Sequence, residues 1–198
     1  MSKVSEFLGK KKGDIISLST GQTMTDHNEF ELEMIIIETR VYHEPNGMFT
    51  YTGYLCKPQN RDDMTYMFLI RQVDADFDLM LYYLNNDGSI VEAREMVLTD
   101  DGQDLVPQFC IDIPFSNGES HPVNWTKKAA GSFFGIEFTD PDNTGITTIC
   151  EYQTDDPCGE NPHGFMDWKG DAEDGWVEFW MGSPVQPFEV KFFAGETL

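Results

Sequence analysis

Three aspartates at alternate positions, Asp74, Asp76 and Asp78, stand directly before the apolar run Leu79–Leu84 and raise the first chemical question. Carboxylates spaced this way can supply oxygens to calcium, but an EF-hand-type loop also needs glycine at its sixth position and a bidentate glutamate at its twelfth. Counting from Asp74, those positions are Leu79 and Asn85, so two essential features are missing. Along an extended chain successive side chains point to opposite sides, which puts the three acids on one side and Val73, Ala75 and Phe77 on the other. That spacing predicts a solvated lead-in to a buried strand, with a calcium site of another type as the alternative.

A second cluster, "CEYQTDDPCGENPH", holds Cys150, Cys158 and His163. A zinc site built on them would need a fourth ligand from Cys56, Cys110 or His121, and their separations are wider than the short ligand knuckles of structural zinc sites. The expectation is a loop that contains a thiol, with no metal and no cofactor. For catalysis, His27, His43, His121 and His163 lie outside any motif that pairs histidine with a nucleophile, and G-x-S-x-G, H-E-x-x-H, phosphate-loop and dinucleotide signatures are absent. Glu137 and Glu178, both on strand-like segments, are the candidate acid and base of a carboxylate-dependent enzyme; with 35 acidic residues in the chain, close pairs are expected anyway and diagnose little. Trp176, Glu178 and Trp180 share one face of a strand, Val177, Phe179 and Met181 the other. The tryptophans and Glu178 could form a platform for a cation, a sugar or a peptide, or be covered by another layer.

The elements that must carry these groups are strands. Turn signals recur at Pro45-Asn46-Gly47, Asn86-Asp87-Gly88, Asp101-Gly102, Asn143-Thr144-Gly145 and Asp174-Gly175. Between them strand patterns cover about 14–19, 31–42, 48–56, 65–71, 79–84, 91–98, 108–113, 132–139, 146–152, 165–168, 176–181 and 188–193. "TRVYHEPNGMFTYTGYL" reads as a hairpin closed by Pro-Asn-Gly; a binding loop carrying His43 and Glu44 is its alternative. Only Lys3–Lys12 has helical spacing, through Val4, Phe7 and Leu8, and Gly9 shortens it. The predicted class is all-β, a mostly antiparallel sandwich or barrel-like fold.

The formal net charge of −22 opposes contact with phosphate backbones and anionic lipid and favours cationic ligands or basic partner surfaces. No apolar run approaches the length of about 20 residues that a membrane-spanning helix needs, and "MSKVSEFLGKKKGD" lacks an export segment. The expected location is the cytoplasm, where the four cysteines are free thiols.

"DADFDLMLYYLN" (74–85) laid over "DAEDGWVEFWMG" (171–182) matches Asp-Ala and aligns Tyr82 with Phe179 and Tyr83 with Trp180, and Phe68 falls on Phe165 at the same offset. This suggests a duplication: a flexible segment 1–12, a β-unit 13–114, a linker 115–124 and a second β-unit 125–198. The alternative is one β-domain over 13–198.

"WKGDAEDGWVEFWMGSPVQPFEV" (168–190) resembles the tail of a bacterial domain-of-unknown-function family, through Trp168, Gly170, Asp171, Trp176, Glu178, Gly182, Val185, Pro187, Glu189 and Val190. "ICEY" (149–152) and "GDIISL" (13–18) resemble two further segments of it. The resemblance implies a mainly antiparallel β-fold in a bacterial cytosolic protein and assigns no catalytic residue. The leading functional expectation is a non-enzymatic, protein-binding or adaptor module acting through a sheet edge or an aromatic face. The alternatives are a carboxylate-dependent enzyme on a small cationic or carbohydrate ligand, and an acidic mimic of nucleic acid.

Overall fold

In the computed structural model of the protein, residues 3–19, 31–43, 49–59, 64–73, 76–84, 106–114, 120–137, 146–154, 163–169 and 176–195 are described. Their strands are β1 (Ile15–Ser19), β2 (Glu31–His43), β3 (Phe49–Pro58), β4 (Thr65–Val73), β5 (Asp76–Leu84), β6 (Gln108–Pro114), β7 (Ser120–Glu137), β8 (Ile146–Thr154), β9 (His163–Lys169), β10 (Trp176–Val185) and β11 (Val190–Phe193). All join one 11-stranded sheet in the order β11-β1-β2-β3-β4-β5-β10-β9-β8-β7-β6. Every pairing is antiparallel, and the far end of β2 also pairs with β7, Val41 opposite Glu137 and Tyr42 opposite Ile136. The sheet is not closed into a barrel.

Strands β3, β4 and β5 are buried on both faces, which is why "TYMFLI" and "LMLYYL" read as continuous apolar runs and not as alternations. One face carries Ile16, Leu18, Met34, Ile36, Tyr54 and Phe68. The other carries Tyr42, Tyr51, Met67, Met80, Tyr82 and Trp180. The change of face within β2 comes from a β-bulge. Ile36 lies opposite Cys56 but Glu38 lies opposite Leu55, so Ile37 is an extra residue. Plain alternation would put Glu38, Arg40 and Tyr42 on the side of Leu32, Met34 and Ile36; the bulge turns them to the second face.

Gly182 is required where β10 passes β5. A Cβ there would collide with the Leu81 carbonyl oxygen and the Tyr82 ring. Beyond β10, Pro187 opens a short 3-10 turn, Pro187–Glu189, in which the Gln186 N–H donates to the Glu189 carboxylate at 2.7 Å. This turn delivers the chain to β11.

Several expectations change. The N-terminal segment, expected to be flexible, is docked from residue 3: a 3-10 turn, Val4–Glu6, leads to Phe7, which is 3% exposed in the first core. The Tyr54 hydroxyl donates to the Phe7 carbonyl at 3.0 Å and the Lys10 N–H donates to that hydroxyl at 3.2 Å, anchoring the segment. Residues 120–124, assigned to a linker, begin β7 and pair with β6, Ser120 opposite Pro114 and His121 opposite Ile113. The two proposed units share one sheet through the β5–β10 pairing. Internal duplication is not shown. Phe68 pairs with Leu81, so the offset would pair Phe165 with Glu178, yet Phe165 pairs with Trp180. Tyr82 also faces the second core while its counterpart Phe179 packs against Phe109 and Trp125. The strand expected at 91–98 and the turn residues 44–48 of the β2–β3 hairpin lie outside the described residues; the arms of that hairpin pair as expected, His43 opposite Thr50.

Candidate functional site

The bulge at Ile37 aims Arg40 into the second face, where its side chain is 7% exposed. Its Nη1 donates to Glu178 Oε2 at 2.5 Å and its Nε to Glu38 Oε1 at 2.9 Å. Trp180 Nε1 adds a donation to Glu178 Oε2 at 3.3 Å. Along the sheet, β2 and β10 are four strand steps apart. Four steps span about 19 Å in a flat sheet. The contact therefore shows the sheet doubled back on itself, with the ion pair as a cross-brace.

A second arginine repeats the arrangement. Arg71 on β4 donates through Nη1 to Glu151 on β8, at 3.0 Å and 2.7 Å to its two oxygens, and through Nε to Asp78 Oδ2 at 3.2 Å. Tyr51 on β3 donates its hydroxyl to Glu151 Oε1 at 2.7 Å. Glu151 is 15% exposed and Asp78 59%, so this brace runs from the interior out to water.

Electrostatics hold both arginines charged and the tyrosines neutral. Burial is the largest influence on Arg40 and opposes its charge; Tyr42, Glu178 and the hydrogen bonds to Glu178 and Glu38 outweigh it and raise its pKa. Arg71 follows the same pattern, burial being outweighed by Asp78 and Glu151. Burial, then the neighbouring Glu151, pushes the Tyr51 and Tyr82 phenols above the usual tyrosine range. Chemically the cluster is a set of mutually satisfied ion pairs. The Glu178 carboxylate already accepts from Arg40 and Trp180, and Glu151 from Arg71 and Tyr51.

The sequence candidates are distributed as follows. Glu178 and Trp180 share a face, as alternation requires, and that face is the inward one: Trp180 is fully buried and presents no open platform. Trp176 and Glu137 have described backbones only, on β10 and β7. Asp76 and Asp78 are exposed at the start of β5, Asp78 being paired with Arg71, and Asp74 lies outside the described residues. Among the described residues no group of three His, Cys, Asp or Glu side chains is arranged to hold a metal. Cys150 lies opposite Met166 and His163 opposite Gln153, so the two do not face each other; Cys158 is outside the described residues. Among the described residues Cys56, Cys110 and Cys150 form no disulfide with one another. Sequence reasoning missed Arg40, Arg71, Tyr51 and Glu151. The available signal was an arginine embedded in each of two apolar strands, "EMIIIETRVYH" and "TYMFLIRQV".

The other notable surface is the β11 edge. The large apolar side chains exposed among the described residues are Ile35 (37%), Phe188 (80%) and Phe193 (49%). Ile35 and Phe193 flank Ile15 in one cross-strand row on the outer side of β2, β1 and β11. Phe188 sits in the 3-10 turn that leads to β11. Among the described residues β11 pairs with β1 on one side only, and no described strand lies along its other backbone edge. Comparison with known proteins finds no matching family model, no matching curated protein and no matching solved structure.

Proposed function

We propose that this chain is a non-enzymatic, protein-binding module that engages its partner along the β11 edge. The observation that carries the reading is the exposed pair Ile35 and Phe193 in one cross-strand row at the β11 margin, with Phe188 exposed in the turn at the other end of β11. Native edge strands are commonly protected by being short and charged. β11 is short and carries Lys191, but a purely protected edge would not also display two exposed phenylalanines. Strand addition supplies a mechanism: backbone hydrogen bonds give affinity, and alternate side chains give selectivity. The engagement of Glu178 with Arg40 and Trp180 further favours binding over carboxylate catalysis. We place the protein in the cytoplasm, a reading supported by Cys56 and Cys110 as reduced thiols. No helix among the described residues is long and apolar enough to cross a membrane.

The test is selection of peptides from a random displayed library on the intact protein, followed by amide hydrogen exchange with an enriched peptide. Enriched peptides should slow exchange at residues 190–193 and lose binding to a Phe188→Ser, Phe193→Ser double variant. Both substitutions are at exposed sites, so stability should change little. Failure to enrich any peptide, or protection confined elsewhere, refutes the reading.

A further inference from the structure

Building on the edge-binding reading, we infer that the β11 edge recognises an extended acidic segment: one carrying a carboxylate two residues away from an apolar side chain. The argument begins with which side chains an added strand would meet. Val190 and Phe192 turn inward and pack on the first core, Phe192 against Phe7, Tyr54 and Phe68. Lys191 and Phe193 are exposed on the outer side. In a pleated sheet the residues directly opposite one another across neighbouring strands lie on the same side with Cβ atoms about 5 Å apart. A strand laid beside β11 would therefore place one residue against Phe193 and, two positions along, another against Lys191.

The residue facing Phe193 would extend the apolar row Ile35–Ile15–Phe193, which favours an aromatic or β-branched side chain. The residue facing Lys191 meets an ammonium group, and the surroundings reinforce that charge. Lys57 stands opposite Ile35 at the end of the same row. Lys11 and Lys12 are exposed in the turn before β1, which is joined to β2 by the Gly13 N–H donating to the Ile36 carbonyl at 2.8 Å. Lys10 lies over the Phe192 ring, 4.6 Å from its centroid. The acids described nearby are Asp14, which accepts from the Lys11 and Gly195 N–H groups, Glu33, opposite Ser17, and Glu189, two positions before Lys191, which accepts from the Gln186 N–H. Thus a protein whose net charge is −22 gathers lysines around its exposed apolar margin. The field of distant carboxylates is screened beyond about 8 Å at physiological ionic strength, so Lys191, directly opposite the docked residue, decides the preference at that position.

A two-fold-related second copy fits less well, because pairing two β11 strands about Lys191 sets like charges face to face. A flat anionic bilayer would use the lysines and phenylalanines but leave the backbone edge of β11 without hydrogen-bond partners from a strand.

Three labelled peptides, TTETFTT, TTQTFTT and TTKTFTT, titrated into the full chain by fluorescence anisotropy, test the inference, with amide exchange locating the contact. The glutamate peptide should bind wild type about fivefold more tightly than the lysine peptide, with the glutamine peptide between them. Lys191→Glu should reverse that order. If all three protect residues 190–193 equally, edge binding stands and the carboxylate preference is overturned. If none protects these residues, both fall. Binding to vesicles containing phosphatidylserine with no peptide binding, or dimerisation by sedimentation that Lys191→Glu leaves intact, would also overturn the inference by assigning the surface to lipid or to self-association.

Discussion

Arg40 and Arg71 each bind two carboxylates and each ties strands that are distant along the sheet, yet they do so in different solvents. Arg40 is 7% exposed and its partners Glu178 and Glu38 are 16% and 28% exposed; Arg71 is 33% exposed and reaches Asp78, which is 59% exposed. They also arrive by different routes. Regular alternation in β4 brings Arg71 to its face, whereas Arg40 needs the extra residue Ile37 in β2. The contrast teaches that ion pairs of the same chemistry have graded consequences, set by how much water each partner retains and by how the backbone delivers it.

The strongest way to break the contrast is to change the route of Arg40. Deleting Thr39, downstream of the bulge, turns Arg40 towards Met34 and Ile36 and should abolish the cooperative urea transition, because an unpaired guanidinium would enter the first core. Deleting Ile37 removes the extra residue while keeping Arg40 on its own face. It should cost only about 1–3 kcal/mol and preserve the transition.

Glu178→Ala removes the more buried of the two carboxylates that Arg40 binds, leaves Glu38 in place, and should lower unfolding free energy by about 1.5–3 kcal/mol in urea melts. Combining it with Arg40→Met should recover part of that loss, since the buried guanidinium no longer has to be compensated.

Alkaline pH probes the tyrosines around the second brace. Folding holds Tyr51 and Tyr82 protonated, with pKa values raised above the ordinary tyrosine value of about 10. Their contribution is therefore fully present below that value. It is lost as pH rises from there through the folded-state pKa, with a slope of about 1.4 kcal/mol per pH unit for each phenol. Ultraviolet titration should show these two ionising later than exposed tyrosines, and stability measured at pH values from 8 to about 11 should fall only at the upper end.

The smallest effect belongs to Asp78→Asn. The exposed end of the second brace should contribute about 0–1 kcal/mol, and added salt should shrink the difference between variant and wild type.

Much of the sheet was legible because turn residues and period-two burial coincide: β2, β3, β4 and β8 lie within a few residues of their sequence-based positions. β7 was half missed. Pro122, Asn124, Thr126 and Lys127 make its first half look like a loop, although Val123 and Trp125 alternate into a buried face. The Lys3–Lys12 helical spacing was misleading because Phe7 is held by Tyr54, a partner remote in sequence. For the site, strand periodicity showed that Glu178 and Trp180 share a face but could not say which face is covered, since both sides of "WVEFWM" are bulky. The partnership with Arg40 was invisible for a sharper reason. A bulge changes the parity of a strand, and "IIIETR" carries no glycine or proline to announce one.

The pairing of β1 with β11, Ile15 opposite Phe193, makes the first of the described strands wait for one made more than 170 residues later. Until residue 193 emerges from the exit tunnel, β1 has an open margin and the aromatic lid that Phe192 places over the first core is missing. Completion of the first core is thus coupled to synthesis of β11, and a nascent chain stalled before it would be exposed to chaperones or to strand-mediated aggregation at that margin.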